Sequence, residues 1–441
     1  MITRLNSIAH LLVFLLTSVS LLAQVPMPAP EQEQSVLIRY AKAHLGNGKV
    51  ISNAYIGFQN GELTMVSDAN TSRISVLDYD TIIDGEGLHV FPGFIVMDSR
   101  LGLTEIGAVR ATHDFDETGD FLPNVRALPA YNAESKIIPT VRFNGVLMAQ
   151  VAPVGGRISG SSSTVQLDAW NWEDAQIAAD EGIFLNWPQR YVKTGWWGEP
   201  GPVKVNEKYD EQVSEVFRFM EEARAYGTTD SHAVQNLRFE ALRGVFDGEQ
   251  RLYIRANKAK DILDVVQFKR HFGLNKVTIV GAQEAELVLI ELKENKLCVV
   301  IDRVHQLPSR PEDGLNKPFE LPALLAENEI PFAFATIGDM EAMISRNLPF
   351  HAGTAVFNGL DYEKAIQALT LDAAQMMGID KHYGSLEPGK SATLFISTGD
   401  PLDISSNNIL EAFIDGRQIE LSSHQKDLFL KYAKKQGISV D

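Results

Sequence analysis

The residues best placed to do chemistry stand at the ends of apolar runs. Val90 to Arg100 reads as a strand entered through the Pro92-Gly93 turn. Its apolar run, Phe94 to Met97, suits a strand covered on both faces, and its polar tip is Asp98-Ser99-Arg100. Leu252 to Ala256 carries Arg255, Leu297 to Ile301 is followed by Asp302, Arg303 and His305, and Phe332 to Ala335 is followed by Asp339. Carboxylates and imidazoles at such ends can move protons or ligate a metal. An arginine can do neither, because a guanidinium stays protonated and has no acceptor lone pair. It can fork onto a carboxylate or phosphate. The chain has ten histidines, and they form neither His-x-His nor His-x-x-x-His. His113, His305 and His351 fall nearest to expected loop ends, and His305 is the best single candidate among them. Cys298 is the only cysteine, so neither an intramolecular disulfide nor a thiolate metal cluster can form. Nucleophilic chemistry has no Gly-x-Ser-x-Gly elbow; Ile158-Ser159-Gly160 is half of one.

The elements that must hold these residues fall into two kinds. From Ser35 to Asp84 the signals are short strands and turns, including the Asn60-Gly61 hairpin turn. Beyond Phe91, strand-like runs alternate with helical faces. Leu252–Ala256 precedes Asp261–Phe272, Val277–Gly281 precedes Glu284–Lys293, and Leu297–Ile301 precedes Leu321–Glu327. Phe332–Ala335 is followed by a helix over Glu363–Met377. This many βα repeats in one run favour a closed (β/α)8 barrel. Gly102–Pro139 and Trp170–Val205 fit no such period, and the second holds all five tryptophans. They read as binding loops or lids, or as a satellite core over the barrel rim. Gly155 to Ser163 reads as a Gly/Ser loop that could aim backbone N–H groups at an anion, or as a plain turn.

Phe91-Pro92-Gly93-Phe94-Ile95 resembles the start of the first barrel strand in the amidohydrolase superfamily, most closely its imidazolonepropionase-like branch. Gly384-Ser385-Leu386-Glu387-Pro388-Gly389-Lys390-Ser391-Ala392-Thr393-Leu394 resembles the family's segment returning from the barrel, with Thr393 where Asp is usual. Ala365 to Gly378 resembles its helix after strand eight. The resemblance implies a TIM-type (β/α)8 barrel over 91–383. It also implies a composite, discontinuous β-sandwich domain over 24–90 and 384–422, with a tail over 423–441. It implies hydrolysis of carbon–nitrogen bonds other than peptide bonds, using zinc or another divalent metal. The metal ligands there are His-x-His on strand one, a His on strands five and six, and an Asp on strand eight. Here Asp98 and Arg100 replace the first pair, Arg255 stands at strand five, and Val280 or Gly281 at strand six; only Asp339 remains as a strand-eight carboxylate.

The expectation is therefore no bound metal, with Asp98, Arg100, Arg255 and His305 as binding residues and Asp339 as a catalytic candidate. The protein would bind a ligand, such as a small anionic molecule, or assist a partner without hydrolysis, as a homo-oligomer or paired with an active homologue. The alternative is an active carbon–nitrogen hydrolase with a mononuclear or metal-free site, for example one metal on Asp98, Asp339 and His305. A net charge of -17 argues against nucleic acid or an anionic membrane as the main partner. Arg4, the apolar stretch Leu11 to Leu22 and small Ala23 resemble a secretory signal over 1–23. They imply a periplasmic or secreted protein with no membrane span after cleavage.

Overall fold

The computed structural model describes residues 27–196, 198–229, 234–310, 312–338 and 340–439. The signal-like segment 1–23 and Asp339 lie outside them.

Eight strands form the central sheet: β1 (Phe94–Ser99), β2 (Val146–Val151), β3 (Ile158–Gln166), β4 (Gln176–Asn186), β5 (Arg251–Ala256), β6 (Val277–Gly281), β7 (Cys298–Ile301) and β8 (Phe332–Phe334). They are hydrogen-bonded in chain order, and a parallel bridge between Met97 and Ala335 joins β8 back to β1. The result is a TIM-type barrel with one reversal: β3 is antiparallel to both β2 and β4. Its amino end, not its carboxyl end, therefore reaches the mouth where the parallel strands end. From β5 onward the alternation is regular, with helices Ala259–Phe272, Leu289–Glu294 and Lys317–Glu327 between successive strands.

Strand periodicity sorts the side chains. On β5, Leu252, Ile254 and Ala256 pack into the large outer core, while Tyr253 faces the barrel interior with Ile95, Met97, Met148, Phe184 and Val300. The helix Leu371–Met377 plugs the amino-terminal end. Ala373, Ala374, Met376 and Met377 join that interior cluster, and the Met376 carbonyl accepts from Arg251 Nε (2.6 Å) and Tyr253 Oη (3.1 Å). The expected single helix over Glu363–Met377 is two helices, Tyr362–Leu369 and Leu371–Met377, broken at Thr370.

A second eight-stranded sheet contains the strands 36–44, 50–59, 62–68, 81–84 and 89–92, and also 394–397, 409–414 and 417–419. Strand 394–397 pairs antiparallel with 89–92, immediately before β1. One core cluster draws on both segments, from Ile38, Ile56 and Phe58 to Leu394, Ile396 and Phe413. The barrel is thus an insertion in this sheet. A buried charge cluster ties the two bodies: Asp168 after β3 pairs with Arg142 and with Arg417, the latter at 3.2 Å.

Two expectations about segments change. Gly155 to Ser163 is no free loop: Gly155-Gly156 is the β2–β3 turn, and from Ile158 onward the chain is buried strand. Its backbone groups bond to the sheet, while Ser159 Oγ donates to the Gly155 carbonyl (2.8 Å), Ser161 Oγ to Asp180 (2.8 Å) and Ser162 Oγ to Glu181 (2.7 Å). Trp170–Val205 is no single lid either, because β4 runs through it and a separate hairpin (191–196 with 199–205) follows. Of its tryptophans, Trp187 is buried while Trp170 and Trp196 are exposed.

Candidate functional site

The mouth gathers Asp98 and Arg100 from β1 and Arg255 from β5. Asp98 has φ +47°, and the β1–β2 register shifts between Val96 and Ser99. Asp tolerates this left-handed geometry better than most residues. The irregularity accompanies a carboxylate, fully buried, that meets Arg255. Arg255 Nη2 donates to Asp98 Oδ1 at 2.5 Å and its Nε to Oδ2 at 3.0 Å, a two-pronged pair. The remaining N–H groups also have acceptors: Nη2 reaches the Pro153 carbonyl (3.0 Å), and Nη1 reaches Asn186 Oδ1 (3.2 Å) and Ser159 Oγ (3.5 Å). The guanidinium carbon sits 4.4 Å from the Phe184 ring centre. All five donors of Arg255 are engaged inside the protein.

Arg100 is held differently. Its backbone N–H donates to Glu341 Oε2 (2.7 Å), its Nη1 lies 3.8 Å from the same oxygen, and Nη1 donates to the Asp98 carbonyl (3.2 Å). Glu341 opens a short helix after β8 and is fixed further by the Ser345 hydroxyl (3.0 Å). Burial pushes its carboxyl upward, against the pull of Arg100. Sequence reasoning missed Glu341; its buried place two residues after Asp339 has no periodic signature in so short a helix.

Below this layer lies a second carboxylate, the half-buried Glu181 of β4. Gln150 Nε2 (2.8 Å) and Ser162 Oγ (2.7 Å) donate to its Oε1, and Tyr253 Oη (3.2 Å) to its Oε2. Burial raises its pKa despite these donors. Gln150 links the layers, since its Oε1 accepts the Asp98 N–H at 3.1 Å. Gly182 is required beside Tyr253, because a Cβ there would overlap the phenol ring.

His305 follows β7 but is engaged away from the Asp98 pair. Its Nε2 bonds Thr354 Oγ1 (2.6 Å), and its ring lies 4.3 Å from that of His351. Burial lowers the pKa of both rings, that of His351 to about 3. His113 bonds the Gly107 carbonyl in the β1–β2 connection.

The chain resembles several solved structures in fold. An amidohydrolase from Thermotoga maritima MSB8 is 21% identical, with a TM-score of 0.73 over 87% of this chain and 99% of that one. A Xaa-Pro dipeptidase with methionine bound in its active site is 16% identical, with a TM-score of 0.54 over 88% and 100%. An adenosine deaminase from Xanthomonas campestris with bound zinc is 15% identical, with a TM-score of 0.52 over 93% and 98%. Residues 326–419, from the approach to β8 through the returning strands, match the family model described as the amidohydrolase family. Over those residues the chain is similar to the amidohydrolase family, and over most of its length it shares the fold of these solved structures. No curated protein matches it.

A divalent metal of the kind the resemblance implies finds a poor donor set here. Guanidinium groups stand at Arg100 and Arg255, and β6 offers Val280 and Gly281. Among the described residues, no group of three His, Cys, Asp or Glu side chains could hold a metal ion.

Proposed function

We propose that this chain is an amidohydrolase-superfamily member that has exchanged metal-dependent hydrolysis for binding, and serves as a ligand-binding or partner protein. The observation that carries the reading is the Asp98–Arg255 pair. A carboxylate at a strand-one ligand position is neutralised by a guanidinium at the strand-five position, with every guanidinium N–H engaged. A cation entering there would meet a fixed positive charge and a carboxylate already committed. An excess of Zn²⁺ or Mn²⁺ with amide and cyclic-imide substrates should give no chelator-sensitive turnover. Turnover abolished by both chelator and Asp98→Asn would establish the active-hydrolase reading instead.

Export belongs to the same proposal. Arg4, the apolar stretch Leu11 to Leu22 and Ala23 support it. Amino-terminal sequencing of protein from an export-competent bacterial host should begin at or near Gln24; an intact Met1 on cytosolic protein would reject it.

A further inference from the structure

A third arginine stands at the mouth, on the first turn after β7. Arg303 differs from Arg100 and Arg255 because, among the described residues, no carboxylate, carbonyl or hydroxyl accepts from its guanidinium. Its Nε is buried with no partner. The adjacent Asp302 directs its oxygens elsewhere, accepting from the Arg303 backbone N–H (2.6 Å) and Gln283 Nε2 (3.3 Å). Gly338, after β8, has φ +122°, and a Cβ there would overlap Arg303 Nη2, so this glycine leaves the space the guanidinium occupies.

Arg303 lines a cleft with Gln283, Gln306, Ser309 and Lys317. Gln306 Oε1 accepts from Gln283 Nε2 (3.2 Å), which leaves the Gln306 amide N–H groups as donors. Lys317 adds little net charge, since Glu286 and Asp313 each hold its Nζ at 2.7 Å. The free volume is about 20 Å³, enough for one small group and no more.

We propose that this cleft is an anion site in which Arg303 and Gln306 seat the carboxylate of a small organic acid, whose remainder lies outside. Gln283 and Ser309 already donate to Asp302, Gln306 and Glu284, so one unpaired guanidinium beside the Gln306 amide matches a monoanion better than a phosphate dianion. The proposal rests on the reading of the mouth as a binding site, and it gives that reading a ligand class.

The test is titration of the full mature chain with N-acetylglycine, followed by ligand-observed saturation-transfer NMR, with inorganic phosphate as competitor. Saturable binding should weaken about tenfold in Arg303→Gln and less in Arg303→Lys, which keeps the charge but loses the fork. Arg303→Gln should unfold with the wild type, because no internal partner is orphaned. Gln306→Leu, which leaves every charge in place, should also weaken binding. Absence of saturable binding to the wild type up to about 10 mM would overturn the proposal, as would equal affinity in Arg303→Gln. Phosphate binding more tightly than N-acetylglycine would overturn the carboxylate assignment. Chelator-sensitive turnover would end the proposed function and leave this titration unchanged, so the two failures are separable.

Discussion

Replacing Arg255 by methionine probes the mouth most sharply. Methionine keeps an unbranched chain near Phe184 but removes all five donors. The acceptors on Asn186, Ser159 and Pro153 are neutral, and the partly exposed Asn186 can turn to water at the mouth. Asp98 cannot: it is 0% exposed, and its carboxylate takes both its hydrogen bonds from Arg255. Breaking one side of a buried pair destabilises by roughly 3–5 kcal/mol. Asp98→Asn in the same chain removes the orphaned charge and keeps a residue that tolerates φ +47°. What then remains is an under-bonded amide, costing about 1–3 kcal/mol. The double variant should therefore be more stable than Arg255→Met alone. Urea unfolding followed by tryptophan fluorescence and by far-ultraviolet circular dichroism measures both. The midpoint should fall for Arg255→Met with little change in slope, and partly recover in the double variant. A midpoint equal to the wild type for Arg255→Met, or a double variant below the single one, would refute the reasoning.

Glu181 has a carboxyl pKa raised by burial, so its ionised form weighs on the fold at neutral pH and the native state takes up a proton before the unfolded chain does. Stability from this group falls as pH rises through that window. Glu181→Gln should match or exceed the wild type in thermal midpoint at pH 8, and the gap should close as pH falls through the ordinary carboxylate range. His351 has the opposite sign: held neutral with a pKa of about 3, it penalises the fold as pH falls below the unfolded value near 6.5. His351→Asn should flatten the loss of thermal stability between about pH 6.5 and 4. Gly182→Ala should destabilise the barrel by about 1–3 kcal/mol through overlap with Tyr253, measured by urea midpoint, with Tyr253→Phe in the same chain giving little relief because the ring itself is the obstacle.

The strands with continuous apolar runs were legible in the sequence: β1, β2 and β5 to β8 each announce themselves by hydrophobic stretches followed by polar tips. The amidohydrolase resemblance was legible in the words around Pro92-Gly93 and Gly384 to Leu394. β3 and β4 were not. Ile158-Ser159-Gly160-Ser161-Ser162-Ser163-Thr164-Val165-Gln166 is entirely buried yet mostly polar, because its hydroxyls serve Asp180 and Glu181. A buried polar strand imitates a surface loop when only hydropathy is read. The reversal of β3 is equally hidden, since a βα pattern is silent about a strand entered by a tight Gly155-Gly156 turn. At the mouth, residue types indicated that arginines had replaced histidines. The partners came from three-dimensional packing: Arg255 with Asp98, but Arg100 with Glu341. That Arg303 is the guanidinium left over depends on where Asp302 and Gln283 point, which no spacing encodes.

The central claim is that ion pairs stand where the superfamily holds its metal. Elemental analysis of the full-length protein, purified without chelator, tests it most directly. The ion-pair account predicts well under one equivalent of zinc, manganese or iron per chain. Two equivalents, removed by chelator together with a hydrolytic activity, would contradict it.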